Sequence, residues 1–326
     1  MSDLSVNYLG LSLCSPLIAA SSGLTSQVDK IVAFAEAGIG AIVVKSLFEE
    51  QIVNETEFLS TQSQNYPESA DYLHHYIRQN SIDKYLKLIK DIKVAVSIPV
   101  IASINCYSSG EWTSFAKEIQ EAGADGLELN IYSLPLNILK SSNDIEKEYL
   151  EVVGKVTRML KIPVAVKIAN TFTNIPGFVN ELKAYGAKGV VMFNRFYSPD
   201  IDIKKVQIIA ANAFSHEEEY LRELRWVGIV SSLVPGIDLS ASNGIHNGSI
   251  VIRQILAGAA TVQMCTALYK NGPDAITQTI ADLNLFMDSN GFTTISDFKG
   301  KLNISNIENP QKFERVQFMK NFGGKM

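Results

Sequence analysis

The sequence predicts an α/β fold, a (β/α)8 TIM barrel with long insertions at the C-terminal face. Short apolar runs of two recognisable kinds alternate along the chain, and most gaps between them carry a helical pattern. Interleaved by position, the runs give eight strands, the number that a closed parallel barrel needs. An open doubly wound sheet is the competitor, but no GxGxxG follows the first run, which weakens a dinucleotide-binding interpretation.

Four strands are predicted where a helix end, a glycine, a small residue and an apolar run follow one another. Glycine ends helices because it tolerates the left-handed conformation at the C′ position. The Val- and Ile-rich runs that follow are typical of buried parallel strands. These segments are 36–44, 121–129, 184–192 and 257–264.

The other four strands are predicted from apolar runs that open with a proline, which fits the first residue of a strand because its missing N–H costs little there. These runs are 15–20, 98–102, 162–166 and 234–239. Helices are predicted over 28–37, 82–92, 112–122, 145–160, 175–185, 219–230, 250–256 and 273–287, with Asp144 and Ser249 as N-caps.

Two segments, 48–80 and 195–216, exceed ordinary loop length. Long insertions after barrel strands lie on the catalytic face and are often lids. Nothing in the composition marks a second folding unit, and an α/β barrel can use about 250 residues as one domain. Residues 1–326 are therefore predicted to form a single barrel domain.

Composition narrows the class of protein. Hydrophobic residues make up 46% and charged residues 19%, which excludes a disordered chain. The net charge of −5 disfavours a nucleic-acid partner. Three scattered cysteines form no disulfide framework, and four histidines without an HxxxH spacing predict no metal site. Without a signal-like N-terminus or an apolar run of about 18 residues, we expect a cytoplasmic location and no membrane partner.

Every predicted strand ends in a hydrogen-bonding residue, and barrel active sites form where the strands end. Together these residues favour a polar ligand at one mouth. They are Ser22 and Gly23, Lys45 and Ser46, Asn105, Asn130, Lys167, Asn194 and Arg195, Asn243 and Gly244, and Cys265 and Thr266.

Two of these strand ends suggest specific chemistry. Lys45 and Lys167 could snorkel to solvent, hold an anionic or electron-accepting group, or form a Schiff base as in an aldolase. The small residues of 240–244 and of Cys265 and Thr266 expose backbone N–H groups ahead of helices, which favours a phosphate site over an ordinary tight loop.

The chain resembles the dihydroorotate dehydrogenases, most closely the cytosolic class, which are FMN-binding (β/α)8 barrels. The likeness runs from about residue 4 to residue 304. The segments that carry it are Ser15-Pro16-Leu17, Ser22-Gly23, Val43-Val44-Lys45-Ser46, Glu128-Leu129-Asn130, Val166-Lys167, Gln263-Met264-Cys265-Thr266 and Ile295-Ser296-Asp297-Phe298.

This resemblance implies an FMN-dependent oxidoreductase that oxidises dihydroorotate to orotate in pyrimidine biosynthesis, as a homodimer. It implies FMN contacts from Ser22, Gly23, Lys45, Ser46, Asn105, Asn130, Lys167 at the N1/O2 edge of the ring, and Asn243, Gly244, Cys265 and Thr266 at the phosphate. Ser133 falls where the cytosolic class has a cysteine base, and the membrane-bound class has serine there. The expected catalytic residues are thus Ser133 and Lys45. The expected substrate contacts are Asn130, Asn194 and Arg195.

The departures from the family pattern concern the substrate. Segment 67–76 lacks the Asn-x-x-Gly-Leu-Pro-Asn loop, and Leu134-Pro135 replaces the Pro-Asn that follows the base in the family. Two alternatives therefore stay open: an FMN oxidoreductase for another small carboxylate or cyclic amide, with Arg195 or Arg78 as carboxylate partner, and a flavin-binding barrel without turnover.

Overall fold

Parallel strands close into a ring in the computed structural model, which describes residues 2–48, 67–106, 112–131, 134–196, 198–310 and 313. The strands are β1 (Val6–Tyr8), β2 (Leu11–Leu13), β3 (Leu17–Ala19), β4 (Ala41–Val43), β5 (Leu47–Phe48), β6 (Val100–Cys106), β7 (Gly126–Ile131), β8 (Val164–Ile168), β9 (Gly189–Met192), β10 (Pro199–Asp202), β11 (Gln207–Ala210), β12 (Asp238–Ser242) and β13 (Thr261–Met264).

The ring runs in the order β3, β4, β6, β7, β8, β9, β12, β13, and the pairing of β13 with β3 closes it. Strand β5 continues the line of β4 along β6. The surrounding helices are α1 (Val28–Glu36), α2 (Pro67–Ala95), α3 (Trp112–Glu121), α4 (Ser142–Met159), α5 (Ile175–Ala184), α6 (Tyr220–Leu233), α7 (Gly248–Ala257), α8 (Thr266–Asn271) and α9 (Asp274–Asn290). The predicted (β/α)8 TIM barrel is confirmed.

The backbone confirms the prediction that a glycine ends the helix before each of four strands. Gly38, Gly123, Gly186 and Gly258 have φ values of 96°, 97°, 99° and 120°. Each lies between the end of a helix and the next barrel strand, in a conformation that other residues rarely adopt. A chain reversal of this kind lets a short connection return the chain from each helix to the sheet.

The prediction that a proline is the first residue of each of the other four strands needs a correction. Pro16, Pro99 and Pro163 each precede a strand by one residue, and their carbonyls accept ladder hydrogen bonds from neighbouring strands, from Val262, Ile42 and Leu127 at 2.9, 3.1 and 2.9 Å. Pro235 lies three residues before β12. This strand therefore starts later than predicted and includes Ser240 to Ser242, because β9 and β13 pair with it on both sides.

Several helix ends also differ from the prediction. Helix α2 begins at Pro67, far ahead of the predicted residue 82, since proline is well accommodated in a first helical turn. The predicted N-caps Asp144 and Ser249 are wrong. Ser141 caps α4 by accepting from Asp144 N at 3.2 Å, and Asn247 caps α7 by accepting from Ile250 N at 3.1 Å.

The N-terminal end of the barrel is closed by the β1–β2 hairpin. Its Leu9 N donates to the Asp238 carboxylate, at the first residue of β12, at 2.7 Å. The hairpin completes an apolar cluster inside the barrel, which we call the lower lumen. Its members are Tyr8, Leu9, Leu13, Ile18, Ala41, Val43, Ile101, Ala165 and Ala260. A larger apolar layer separates the strands from the helices.

The insertion that follows β9 lies at the other end. Residues 49–66 are outside the described part of the chain, whereas the insertion after β9 contains the β10–β11 hairpin. In the described part of the chain, none of the helices combines the length and the apolar character that a membrane span requires.

Candidate active site

The strand register brings three predicted residues side by side at the C-terminal end of the barrel. Asn105 on β6 pairs with Asn130 on β7, and Asn130 pairs with Lys167 on β8. Asn130 and Lys167 are only 8% and 7% exposed. Two amides and an ammonium therefore line one wall of a largely desolvated mouth, as the strand-end prediction required.

Lys167 does not snorkel to solvent. Its Nζ donates to Gln263 Oε1 at 2.8 Å, and Gln263 Nε2 donates to Glu128 Oε2 at 2.6 Å. The second carboxylate oxygen of Glu128 lies 3.8 Å from Lys167 Nζ. We call the polar residues Ser103, Glu128, Asn130, Lys167 and Gln263 the upper lumen.

The adjoining wall, from the ends of β3 and β4 to β6, carries a chain of hydroxyl groups. Ser46 Oγ lies 3.0 Å from Ser21 Oγ and 2.7 Å from Ser103 Oγ, and Ser46 N donates to Ser21 Oγ at 2.8 Å. Tyr85 on α2 donates to Ser103 O and accepts from Ser103 N, both at 2.8 Å. The helix is thus tied through the barrel wall, and Ser46 is held at its predicted position.

Lys45 is half-buried at the end of β4. Its backbone N–H donates to Thr25 O at 3.4 Å, and its ammonium forms no hydrogen bond with any described residue. Ser22 and Gly23 begin the neighbouring turn. A Cβ added to Gly23 would come within 2.8 Å of the Tyr269 hydroxyl, so the backbone there is closely approached.

Asn194 and Arg195 follow β9 and behave differently. Asn194 Nδ2 donates to Asn130 Oδ1 at 2.5 Å, which places it on the upper lumen. Arg195 donates to Glu219 at 3.2 Å and to the carbonyls of Asn212, Ala213 and Phe214 at 3.1, 2.8 and 3.1 Å, and these bonds use four of its five N–H groups. Arg195 therefore holds the insertion against the mouth.

The predicted phosphate corner is built from two turns. Asn243 and Gly244 both have positive φ, 85° and 64°, and a Cβ on Gly244 would lie 2.4 Å from Tyr220 N. The N–H groups of Gly244 and Cys265 donate to no described residue. Turns that expose free backbone N–H groups form anion-binding concavities.

Thr266 and Cys265 complete this corner. Ser215 donates through N and Oγ to Thr266 Oγ1 at 3.1 and 3.0 Å, and Ser215 Oγ also lies 3.0 Å from His246 Nε2. Burial raises the pKa of the Cys265 thiol, and the nearby Lys167 charge opposes that rise. Cys265 is therefore a neutral lining group beside Lys167.

One buried carboxylate stands behind the same corner. Glu223 on α6 is 1% exposed, and Asn243 Nδ2 donates to its Oε1 at 3.4 Å. Burial raises the pKa of Glu223 to about 7. Ser133, the expected base, lies outside the described residues, two positions after the end of β7.

Sequence reasoning assigned no site role to several residues that the structure brings here, namely Glu128, Gln263, Ser103, Ser215 and His246. The first three had a usable signal. Each stands two residues before a predicted strand-end residue, so it shares that residue's face of the strand. Ser215 and His246 lie in loops, where no periodicity marks them.

The chain is similar to known proteins over most of its length. A family model described as dihydroorotate dehydrogenase matches residues 3–287. A relative from Thermoplasma volcanium, named dihydroorotate dehydrogenase B (NAD(+)), catalytic subunit, is 26% identical over 311 residues, which cover 92% of this chain and 98% of the relative. Relatives of the same name from Geobacillus sp. (strain WCH70) and Bacillus cereus (strain B4264) are also 26% identical, over 92% of this chain and 96% and 97% of their own.

Proposed function

Because the chain belongs to the dihydroorotate dehydrogenase family, we propose that it oxidises dihydroorotate to orotate, a step of pyrimidine biosynthesis, with FMN as its cofactor. It is an FMN-dependent oxidoreductase that acts on CH–CH groups. The observation that carries the proposal is the family match over 3–287, which spans the whole barrel and its polar mouth. Single-domain organisation of residues 1–326 is part of the same proposal.

The described residues fit FMN at both ends. At the phosphate end, Gly244 leaves no room for a side chain, and the free N–H groups of Gly244 and Cys265 suit a phosphate, with Asn243 and Thr266 shaping the two turns. At the ring end, Ser22, Gly23, Lys45, Ser46, Asn105 and Asn130 would contact the isoalloxazine and ribityl parts. When bound, FMN supplies a hydride acceptor at N5.

The positive charge of Lys167 would act at the N1/O2 edge of the ring. Its ammonium is buried, directed by Gln263, and beside the neutral amide of Asn130. A fixed cation in a site that excludes water stabilises negative charge more strongly than one in solvent. The residue therefore favours reduction of the cofactor.

The substrate would be held on the other side of the mouth. We propose that the amides of Asn130 and Asn194 contact the ring of dihydroorotate and that the remaining N–H of Arg195 faces its carboxylate. Ser133 Oγ would accept the proton from C5 and pass its own proton to a partner or to water, the hydride of C6 would go to the acceptor that bound FMN supplies, and Lys45 would approach the reacting face. A serine needs an oriented partner or a water relay to act as a base.

We further propose that the protein works in the cytoplasm as a homodimer, without nucleic acid or membrane as a partner. Size-exclusion chromatography with light scattering measures the state directly. A mass of about twice 35.8 kDa is the expected outcome, and a mass near 35.8 kDa would refute the dimer.

Colour and bleaching test the function. The purified protein should be yellow, release FMN on heating, and lose its colour when dihydroorotate is added without air. Assays with NAD(+) and with fumarate then identify the oxidant. A second candidate, oxidation of another small carboxylate or cyclic amide, is favoured by Leu134-Pro135 in place of the family's Pro-Asn. Bleaching by another member of a small-carboxylate panel, but not by dihydroorotate, would establish it.

A further inference from the structure

The upper lumen contains a charged brace that crosses the barrel. Glu128 on β7 and Gln263 on β13 stand on opposite walls, four strands apart in the ring, and are joined at 2.6 Å. Lys167 on β8 joins the brace through Gln263 at 2.8 Å. The side chains of Lys167, Gln263 and Glu128 are almost fully buried. Opposite charges buried this deeply depend on each other, because either one alone would be strongly destabilised.

The brace has only one hydrogen-bonding arrangement. An ammonium is solely a donor and an ionised carboxylate is solely an acceptor, whereas a carboxamide is both. Gln263 must therefore turn its oxygen to Lys167 and its NH2 group to Glu128. This orientation of the amide keeps the Lys167 ammonium toward β13. The ammonium lies 3.8 Å from Glu128 Oε1, which is too far for a direct hydrogen bond.

The carboxylate of Glu128 acts on more than one neighbour. Burial and the charge of Glu128 both raise the pKa of the hydroxyl of Tyr8 and that of Tyr85. Its Oε1 atom has no hydrogen-bond partner among the described residues. A buried charge without full neutralisation exerts a strong field at short range, since little solvent lies between.

We propose that Glu128 and Gln263 are positioning residues that set the place and the effective charge of the Lys167 ammonium, and thereby the reduction potential of the flavin. This inference rests on the proposed function, because it requires FMN at the mouth. Glu128 partly neutralises Lys167, whereas Gln263 keeps the ammonium from collapsing onto Glu128. Loss of the Glu128 charge and loss of the Gln263 amide should therefore act on the flavin in opposite directions.

The test measures the midpoint potential of the FMN-loaded protein. Glu128→Gln keeps the size and hydrogen bonding but removes the negative charge, so reduced flavin should be favoured about tenfold, which is a rise of about 30 mV for a two-electron couple. Gln263→Met keeps the volume but frees the ammonium to pair with Glu128, so the potential should fall. Glu128→Asp retains the charge and should return the potential toward that of the parent.

Asp238→Asn is the matched control, because it makes the same chemical change at the closed end of the barrel, where Asp238 accepts from Leu9 N. Its potential should equal that of the parent. Three results would overturn the inference while the proposed function stands. The potential shifts equally in Glu128→Gln and Asp238→Asn, it shifts in the same direction in Glu128→Gln and Gln263→Met, or it does not shift in any variant. Failure of the parent to bind FMN would overturn both.

Discussion

The lower and upper lumen occupy the same barrel but differ completely in chemistry. On β6, Ile101 belongs to the apolar lower lumen and Ser103 to the polar upper lumen; on β8, Ala165 and Lys167 divide in the same way. Residues two apart share one face of a strand and lie about 7 Å apart along it. A step of one side-chain layer therefore separates a region that only packs from a region that can bind and react.

The difference teaches how the barrel supports buried charges. The lower lumen gains stability from apolar burial and has the β1–β2 hairpin as its floor. The upper lumen loses part of that gain, because burying polar groups is unfavourable unless they are paired. Pairing of these groups with each other offsets that loss, in the brace of Glu128, Gln263 and Lys167 and in the hydrogen bond between Ser103 and Ser46. Stability and chemistry should accordingly respond to mutations at different ends.

The largest expected effect lies beyond the upper lumen, at the proposed base. Ser133→Ala should leave FMN bound and the fold intact but slow flavin reduction by dihydroorotate roughly 10²- to 10⁴-fold, the usual contribution of a positioned acid–base group. Rapid mixing without air measures this rate. Ser133→Cys is the matched variant and should retain reduction. If Ser133→Ala reduces as fast as the parent, proton abstraction belongs to another residue.

The lower lumen should show the reverse behaviour. Ile101 is 1% exposed, and Ile101→Ala should lower the free energy of unfolding by about 2–5 kcal/mol, the usual cost of such a cavity. Denaturant unfolding measures the loss, and the folded variant should still bind FMN. Ile203→Ala removes the same atoms from a side chain that is 85% exposed, so it should change stability by less than about 0.5 kcal/mol. Equal losses in the two variants would contradict this account of the lower lumen.

Glu223 adds a third case to the comparison of the lower and upper lumen, because it is a buried carboxylate outside both of them. Its pKa is raised from 4.5 to about 7, chiefly by burial, so the folded state binds its proton more tightly than the unfolded state. Its contribution is present at low pH and disappears as the pH rises from about 4.5 to about 7. The free energy of unfolding should fall by about 3 kcal/mol over this window.

Glu223→Gln removes the titrating group and keeps the shape. The free energy of unfolding of the parent and the variant is measured at pH 5 and at pH 8. Relative to the parent, the variant should be more stable at pH 8 than at pH 5. An unchanged difference between the two proteins at both pH values would mean that Glu223 is solvated or paired when ionised.

The sequence predicts the barrel and most of the mouth for a physical reason. The glycines before the strands and the alternation along β6, β7 and β8 are local signals, so Asn105, Asn130 and Lys167 could be placed without a structure. The brace could not, because Glu128 and Gln263 are 135 residues apart and meet only across a closed barrel.

Backbone partners are equally invisible in a sequence. Arg195 was expected to face a substrate carboxylate, yet most of its N–H groups bind main-chain carbonyls of 212–214, which any residue type could supply. The start of α2 was missed for a different reason. Its first turns, from Pro67 onward, lack a clear apolar stripe, and the helical period is the signal on which the prediction depended.

The smallest expected effect comes from the polar neighbour of Ile101 on the same strand. Ser103→Ala removes the 2.7 Å hydrogen bond to Ser46 Oγ, but Ser46 keeps its bonds to Ser21, and Tyr85 keeps its bonds to the backbone of residue 103. No buried group loses its last partner, so the free energy of unfolding should fall by only about 0.5–1.5 kcal/mol. Denaturant unfolding of Ser103→Ala beside Ile101→Ala compares two adjacent layers of one strand. A loss at Ser103 as large as the loss at Ile101 would mean that the upper lumen carries the fold as much as the lower lumen does.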